Sequence, residues 1–167
     1  YEEGLRVPFI VRWPKGLPAP QGYRPGAVES RLLEAIDVAP TLLSLAGLAV
    51  PPKMQGAPFL GEKAGAPKAY VFGARDRCDE TVFRLRTVRD ARYRYIRNFT
   101  PERPFLQANA YKERQYPVWH LIKELGAAGK LTDWQKNFYL SPTMAPEELY
   151  DMDTDPWAMN NLVNSKD

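Results

Sequence analysis

With 167 residues, 44% of them hydrophobic and 26% charged, the chain has enough apolar content for a real core and lacks the compositional bias of a disordered segment. Its longest apolar run, residues 38–50, is interrupted by Pro40, Thr41 and Ser44 and falls short of the roughly 20 residues that a membrane-spanning helix needs. Cys78 is the only cysteine, which excludes an intrachain disulfide and a multi-thiolate zinc site, and the net charge of +3 is modest but unevenly spread.

In chain order, residues 9–13 are apolar and rich in strand formers, and Trp13-Pro14 followed by Gly16, Pro18 and Pro20 stops them, which predicts a buried strand leading into a loop. Residues 28–33 can run extended. Asp37 is placed to N-cap a helix whose early Pro40 lacks only a donor that the first turn leaves unused; Leu42, Leu43, Leu45 and Ala46 give it a buried face and Gly47 ends it. Residues 51–67 read as a proline-rich crossing and a boundary between two structural units, 1–60 and 61–167.

A strand follows at 69–73. Residues 83–88 and 92–96 alternate about the turn-prone Asp90-Ala91, which predicts an antiparallel hairpin with Tyr93 and Tyr95 on one face and arginines on the other; pleat alone then turns the aromatics inward. Residues 118–125, stopped by Gly126, and 132–138, opened by a capping Thr132, read as helices, and 148–152 as a short strand or edge. The pattern is the end of a larger α/β domain followed by a small antiparallel sheet flanked by helices.

Three blocks carry a family resemblance. The opening run Tyr1-Glu2-Glu3-Gly4-Leu5-Arg6-Val7-Pro8, with an apolar segment and Trp13-Pro14 behind it, resembles the stretch that follows the last active-site lysine in sulfatases of the alkaline-phosphatase superfamily. Asp37-Val38-Ala39-Pro40-Thr41-Leu42-Leu43-Ser44-Leu45-Ala46-Gly47, then Met54-Gln55-Gly56, resembles a helix and loop of the same family. Ala74 to Thr81, Arg89 to Asn98 and Glu147 to Asp151 resemble its C-terminal half, so the likeness runs along nearly the whole chain, which resembles the heparan N-sulfatase and arylsulfatase-like enzymes.

The resemblance implies the C-terminal part of an alkaline-phosphatase-like α/β fold, with residues 1–60 as the tail of the large domain and 61–167 as the antiparallel subdomain. It implies that the parent protein hydrolyses a sulfate ester or sulfamate, on a sulfated small molecule or glycan, through a formylglycine nucleophile and a Ca2+ ion. Neither the Cys/Ser-x-Pro/Ala-x-Arg motif nor the calcium ligands of that family occur here, since Cys78 is followed by Asp79-Glu80-Thr81. The expectation is therefore a fragment that is inactive and poorly stable alone, with a missing N-terminal catalytic half as its partner and no nucleic acid. The resemblance favours a periplasmic or secreted setting. A phosphodiesterase or phosphonate hydrolase of the same superfamily, and a non-catalytic binding module for glycan or nucleic acid, remain as alternatives.

Substrate recognition is what such a segment can supply. Arg75, Asp76, Arg77, Asp79 and Glu80 put guanidinium and carboxylate groups into what reads as a loop after a strand, where forked arginines can pair with sulfate or uronate. The same charges can equally satisfy one another. Arginines at 84, 86, 89, 92, 94 and 97 form a basic stretch interleaved with Phe83, Tyr93 and Tyr95, which meets the first test for a polyanion surface. His120, the only histidine, is a substrate-binding candidate on the 118–125 helix, with packing as its ordinary alternative. Arg6 is expected to tie its segment to a neighbouring carboxylate.

Overall fold

The computed structural model describes residues 2–165, so Tyr1 of the opening run lies outside the described residues. It divides into two compact units, one made of residues up to Val71 with Arg89–Ala91, the other of Phe72–Val88 with the chain from Arg92 onward.

The first unit has a short helix α1 (Glu2–Leu5), a 3-10 turn (Ala35–Asp37) and helix α2 (Val38–Leu45), joined by long irregular segments. Residues 9–13 form no strand. A strand requires a neighbour to satisfy its amides and carbonyls, and among the described residues none pairs with this segment; Val7, Phe9 and Ile10 are 64%, 54% and 87% exposed. Phe9 instead meets Phe59 edge-on at 5.8 Å, and the Trp13 indole donates to the Pro18 carbonyl at 3.0 Å. Residues 28–33 are extended only as far as one antiparallel bridge, Leu32 to Lys68. Arg6 is exposed.

Asp37 opens α2 but does not cap it. Its backbone is already helical, and its carboxylate, 1% exposed, turns away to accept from the Glu34 amide at 3.0 Å and the Ala57 amide at 3.0 Å. Lys68 Nζ completes the group, 2.8 Å from Asp37 Oδ2 and also paired with Glu34. Thr41 adds a second tie, donating to the Asp37 carbonyl at 2.6 Å while its hydroxyl accepts from the Phe59 amide at 3.1 Å. The face of α2 differs from expectation accordingly: Pro40 and Thr41 are buried, whereas Leu42 is 61% exposed and Ala46 is also exposed. Gly47 ends the helix as expected, at φ +74, with the Leu48 amide reaching back to the Leu43 carbonyl at 2.9 Å.

The second unit carries an antiparallel four-stranded sheet in the order β1 (Val71–Cys78), β2 (Thr81–Arg89), β3 (Tyr93–Asn98) and β4 (Glu147–Asp151). The expected hairpin and edge strand are both present. β3 and β4 pair in register Arg94 to Tyr150 and Ile96 to Glu148. The inward face is the reverse of the expected one: Arg94 and Ile96 are 4% and 7% exposed, while Tyr93 stands at the surface. Alternation fixes which residues share a face and leaves open which face is covered. Arg94 can be inside because polar partners come with it: Thr87 Oγ1 lies 3.2 Å from its Nη1, and Glu148 and Tyr150 are buried on the paired strand.

Helices α3 (Ala110–Gln115), α4 (Pro117–Ala127) and α5 (Asp133–Tyr139) complete the unit. α3 has no periodic apolar face, so its sequence does not announce it; Asn109 caps it, accepting from the Lys112 amide at 2.8 Å. α4 begins at Pro117 and runs through Gly126 to a stop at Gly129, φ +67. Gly126 lies against Leu140, where a Cβ would collide with the leucine side chain. α5 opens with the expected Thr132 cap, reciprocated by Gln135. Phe83, 2% exposed, and the Phe105, Trp134, Phe138 and Tyr139 rings form the aromatic core, with Phe105 and Phe138 centroids 4.5 Å apart. Among the described residues no helix is long and apolar enough to cross a membrane.

Arg92 and Asp151 clamp the end of the β3–β4 ladder through two bonds, Nε to Oδ1 at 3.1 Å and Nη2 to Oδ2 at 2.6 Å. That guanidinium holds the Asp151 carboxyl at about 2, below its ordinary 3.8. A carboxyl depressed by folding stabilises the protein fully above its unfolded value and loses that contribution as pH falls through its folded value. The stability difference between wild type and Asp151→Asn is therefore expected to be full at pH 6 and to shrink between pH 4 and 2, in urea melts of the chain. A difference that stays constant down to pH 2 would show that Asp151 contributes shape and not charge.

Candidate functional site

The charged candidates sit on β1 and its turn. Arg75, Asp76 and Arg77 belong to the strand itself, which runs five residues past the expected end, and Asp79-Glu80 alone make the turn into β2. The strand extends because β2 supplies a ladder that the sequence of β1, with four charged or polar residues at its end, does not suggest. Asp79 takes the left-handed conformation, φ +52, which an aspartate tolerates better than most residues in a two-residue hairpin turn.

Alternation separates these charges into two sets. Asp76 points to the face where Arg86 holds it through two bonds, at 2.7 and 3.2 Å, and its carboxyl is lowered by that guanidinium. Arg75 and Arg77 share the opposite face. The Arg75 guanidinium lies 4.1 Å from the centre of the Phe83 ring, a cation–π contact that fixes its position. Arg77 Nε donates to the Asp79 carbonyl at 2.6 Å, stiffening the turn. Among the described residues neither arginine has a carboxylate partner.

The other arginines are differently placed. Arg86, Arg92 and Arg97 are paired with Asp76, Asp151 and Glu147, and Arg94 is buried. The basic hairpin that reads in sequence as a polyanion surface thus has much of its charge neutralised or enclosed. Cys78 ends β1, exposed.

His120 is on α4, and its Nε2 lies 2.7 Å from the Glu113 carbonyl at the α3–α4 corner. That contact sets Nε2 as the protonated nitrogen of the neutral ring. Glu113 also accepts from the Trp119 indole at 3.3 Å and has Lys123 Nζ 3.7 Å away, so His120 stands in the group that closes this corner. It makes no hydrogen bond or ion pair with Arg75, Arg77, Asp79 or Glu80.

Sequence reading misses the residues that hold the turn in place. Gln107 grips β2 at Val82 through both backbone groups, accepting from its amide at 3.2 Å and donating to its carbonyl at 2.9 Å. Asn109, 1% exposed, donates to Thr81 Oγ1 at 3.3 Å while it caps α3. These bonds bring the start of α3 beside the β1–β2 turn. The one usable signal in sequence is an Asn before a short charged segment; that it also binds Thr81 is a tertiary fact.

Elsewhere, a cleft of about 40 Å3 in the first unit is lined by Arg31, Asp37, Phe59 and Lys68, room for a water or two and too small for a sugar. Among the described residues no three His, Cys, Asp or Glu side chains converge in a way that could hold a metal ion.

Residues 1–107 match the family model described as N-sulphoglucosamine sulphohydrolase, C-terminal. An ulvan-active sulfatase of Formosa agariphila is 36% identical over 165 residues, which is 99% of this chain and 26% of that protein. An N-acetylglucosamine-6-O-sulfatase of Bacteroides thetaiotaomicron is 26% identical over 97% of this chain and 22% of its own length. The chain thus spans about a quarter of the length of the curated relatives it matches. A solved structure of a 2-O GAG sulfatase shares 25% identity at a TM-score of 0.45, covering 77% of this chain and 20% of the other.

Proposed function

Since the chain belongs to the N-sulphoglucosamine sulphohydrolase C-terminal family, we propose that it is the substrate-selecting C-terminal portion of a sulfatase that removes sulfate from a sulfated sugar. The observation that carries this reading is the pair Arg75 and Arg77, side by side on one face of β1, positioned by Phe83 and the Asp79 carbonyl and, among the described residues, without a carboxylate partner. Two fixed guanidinium groups suit the paired oxygens of a sulfate or carboxylate. Asp79 and Glu80, at the turn, supply acceptors for sugar hydroxyls.

Catalysis belongs to the rest of the parent protein in this reading. A calcium ion would screen the sulfate oxygens there, and the described residues of this chain offer no group that fits one. The first unit is compatible with the same division, because Val7, Phe9, Ile10, Leu17, Val28 and Leu42 are all at least half exposed and offer apolar surface to a partner. We assign that surface to the missing catalytic half.

The test is sulfate release by the full-length protein from ulvan oligosaccharides and from N-acetylglucosamine 6-sulfate, with bis-p-nitrophenyl phosphate as the phosphodiester control. Arg77→Ala is expected to raise KM about tenfold or more, the loss of one charge-assisted hydrogen bond, with kcat little changed. Hydrolysis of the phosphodiester alone would move the assignment to phosphoryl transfer. Release of sulfate with an unchanged KM in Arg75→Ala and Arg77→Ala would remove these residues from substrate recognition.

A further inference from the structure

Beside the β1–β2 turn stands a second feature that neither charge nor family likeness assigns. Tyr111 of α3 and Tyr116, the residue between α3 and α4, are 53% and 47% exposed, and their rings meet edge to face with centroids 5.8 Å apart. Large aromatic rings left half in water in a unit that buries Phe83 and Trp119 are available for contact with something outside the unit. Their place is fixed from three sides. Asn109, two residues before Tyr111, is bonded to Thr81, two residues after Asp79. Gln107 is clamped to Val82. Pro117 starts α4 directly after Tyr116, so both tyrosines ride on a short, stiff corner.

The electrostatics agree with that proximity. The Tyr111 hydroxyl is pushed above its ordinary value by the neighbouring Tyr116 and, to a smaller extent, by the negative charge of Asp79. Asp79 is the turn residue whose carbonyl holds Arg77. Through Asn109 and Gln107 the two tyrosines are tethered to the start of β2, directly after the turn whose Asp79 carbonyl holds Arg77.

A sugar ring has two chemistries on it: apolar C–H faces that lie on aromatic rings, and hydroxyl or sulfate groups that need donors and acceptors at the edge. We infer that Tyr111 and Tyr116 form a stacking subsite for a pyranose ring of the substrate chain, next to the sugar whose anionic groups Arg75 and Arg77 engage. The inference rests on the proposed sulfated-sugar function and deepens it, since it makes the substrate an oligosaccharide in place of a single sugar. The tyrosines are specificity-determining residues for the neighbouring ring and take no part in breaking the sulfate bond. A stacked ring covers the aromatic face whatever the hydroxyl pattern, so the subsite reads chain length more than sugar identity. The edge-to-face contact holds the two rings in one arrangement and so lowers the ordering cost of binding.

The experiment compares Tyr111→Ala, Tyr116→Ala and Tyr111→Phe in the full-length protein, on ulvan oligosaccharides and on N-acetylglucosamine 6-sulfate. The alanine variants are expected to raise KM for the oligosaccharides about tenfold, to leave kcat within about twofold, and to leave the monosaccharide KM unchanged. Tyr111→Phe keeps the ring and is expected to stay within about threefold of wild type. Equal KM values for wild type and both alanine variants on the oligosaccharides would overturn the subsite. So would a loss that is the same on oligosaccharide and monosaccharide, which marks a general structural role. Arg77→Ala separates the two levels: a KM effect there with none at the tyrosines removes only the stacking subsite, whereas no effect at any of the three removes the substrate-recognition reading as well.

Discussion

Replacing Asp37 with alanine is expected to destabilise the protein by about 3 kcal/mol, the scale for breaking a buried ion pair and stranding its hydrogen-bond partners. The carboxylate, 1% exposed, holds two backbone amides twenty-three residues apart, those of Glu34 and Ala57, together with the Lys68 ammonium. Burial alone would raise its pKa, yet the Lys68 contact and the two amides together lower it, so the charged form is the one the fold is built around. Alanine leaves all three donors without it. Asparagine keeps an acceptor oxygen for one amide and gives up the charge, so Asp37→Asn is expected to fall between alanine and wild type. The measurement is the urea midpoint of the full-length protein at pH 7, with the midpoint of Arg77→Ala as a surface control. An alanine variant within about 0.5 kcal/mol of wild type would mean that water replaces the carboxylate at both amides.

The same loop makes the second prediction. Gly56 packs against the backbone of the 3-10 turn: a Cβ there would overlap the Ile36 carbonyl oxygen, with Ile36 C at 2.5 Å and Asp37 N at 2.9 Å. Its φ is ordinary, so the requirement is for space and not for backbone freedom. Because the neighbours are main chain, no rotamer change relieves the overlap; either the 55–57 segment or the 35–37 turn must move. Gly56→Ala is expected to cost at least about 2 kcal/mol, the range for overpacking that forces backbone shifts. That shift draws the Ala57 amide away from Asp37, so the Gly56→Ala and Asp37→Ala losses are expected to be less than additive in a double-mutant cycle. Additive losses would show two independent sites. A Gly56→Ala variant as stable as wild type would show that the loop yields freely.

These two residues explain a pattern that in sequence is only a resemblance. Asp37-Val38-Ala39-Pro40-Thr41 and Met54-Gln55-Gly56 both belong to the stretch that resembles the sulfatases, and the structure ties them together: the aspartate binds the amide of the residue after the glycine, the threonine binds the amide of Phe59, and the glycine lets the loop come close enough for both. The lysine that completes the group, Lys68, lies outside both motifs.

Elements whose cause is local were legible from the residues. Thr132 and Gln135 cap α5, Gly47 closes α2, the alternation on either side of Asp90-Ala91 makes a hairpin, and 147–151 adds an edge strand. Each rests on a bond between near neighbours or on a pleat that any strand imposes. The elements misread are those whose outcome depends on a distant partner. Residues 9–13 have strand composition and no strand to pair with among the described residues. β1 continues through Arg75, Asp76 and Arg77 because β2 lies beside it. α3 exists in large part because Asn109 is anchored at Thr81.

The site divides along the same line. Composition and spacing picked out Arg75, Arg77, Asp79 and Glu80 as charges close in the chain, and family likeness supplied a reason to expect an anionic sugar. Which of those charges remain available was decided by pleat and neighbours: Asp76 faces Arg86, whereas Arg75 and Arg77 face the other way and meet an aromatic ring and a carbonyl. Tyr111 and Tyr116 lie more than thirty residues from the turn and join it only through Asn109 and Gln107. Sequence alone determined the chemical groups and the local caps and turns, because those are set by side-chain type and by bonds spanning a few residues. Tertiary structure alone decided which sheet face is buried, which arginines are neutralised and which aromatics join the turn, because each of those depends on what a distant segment brings against them.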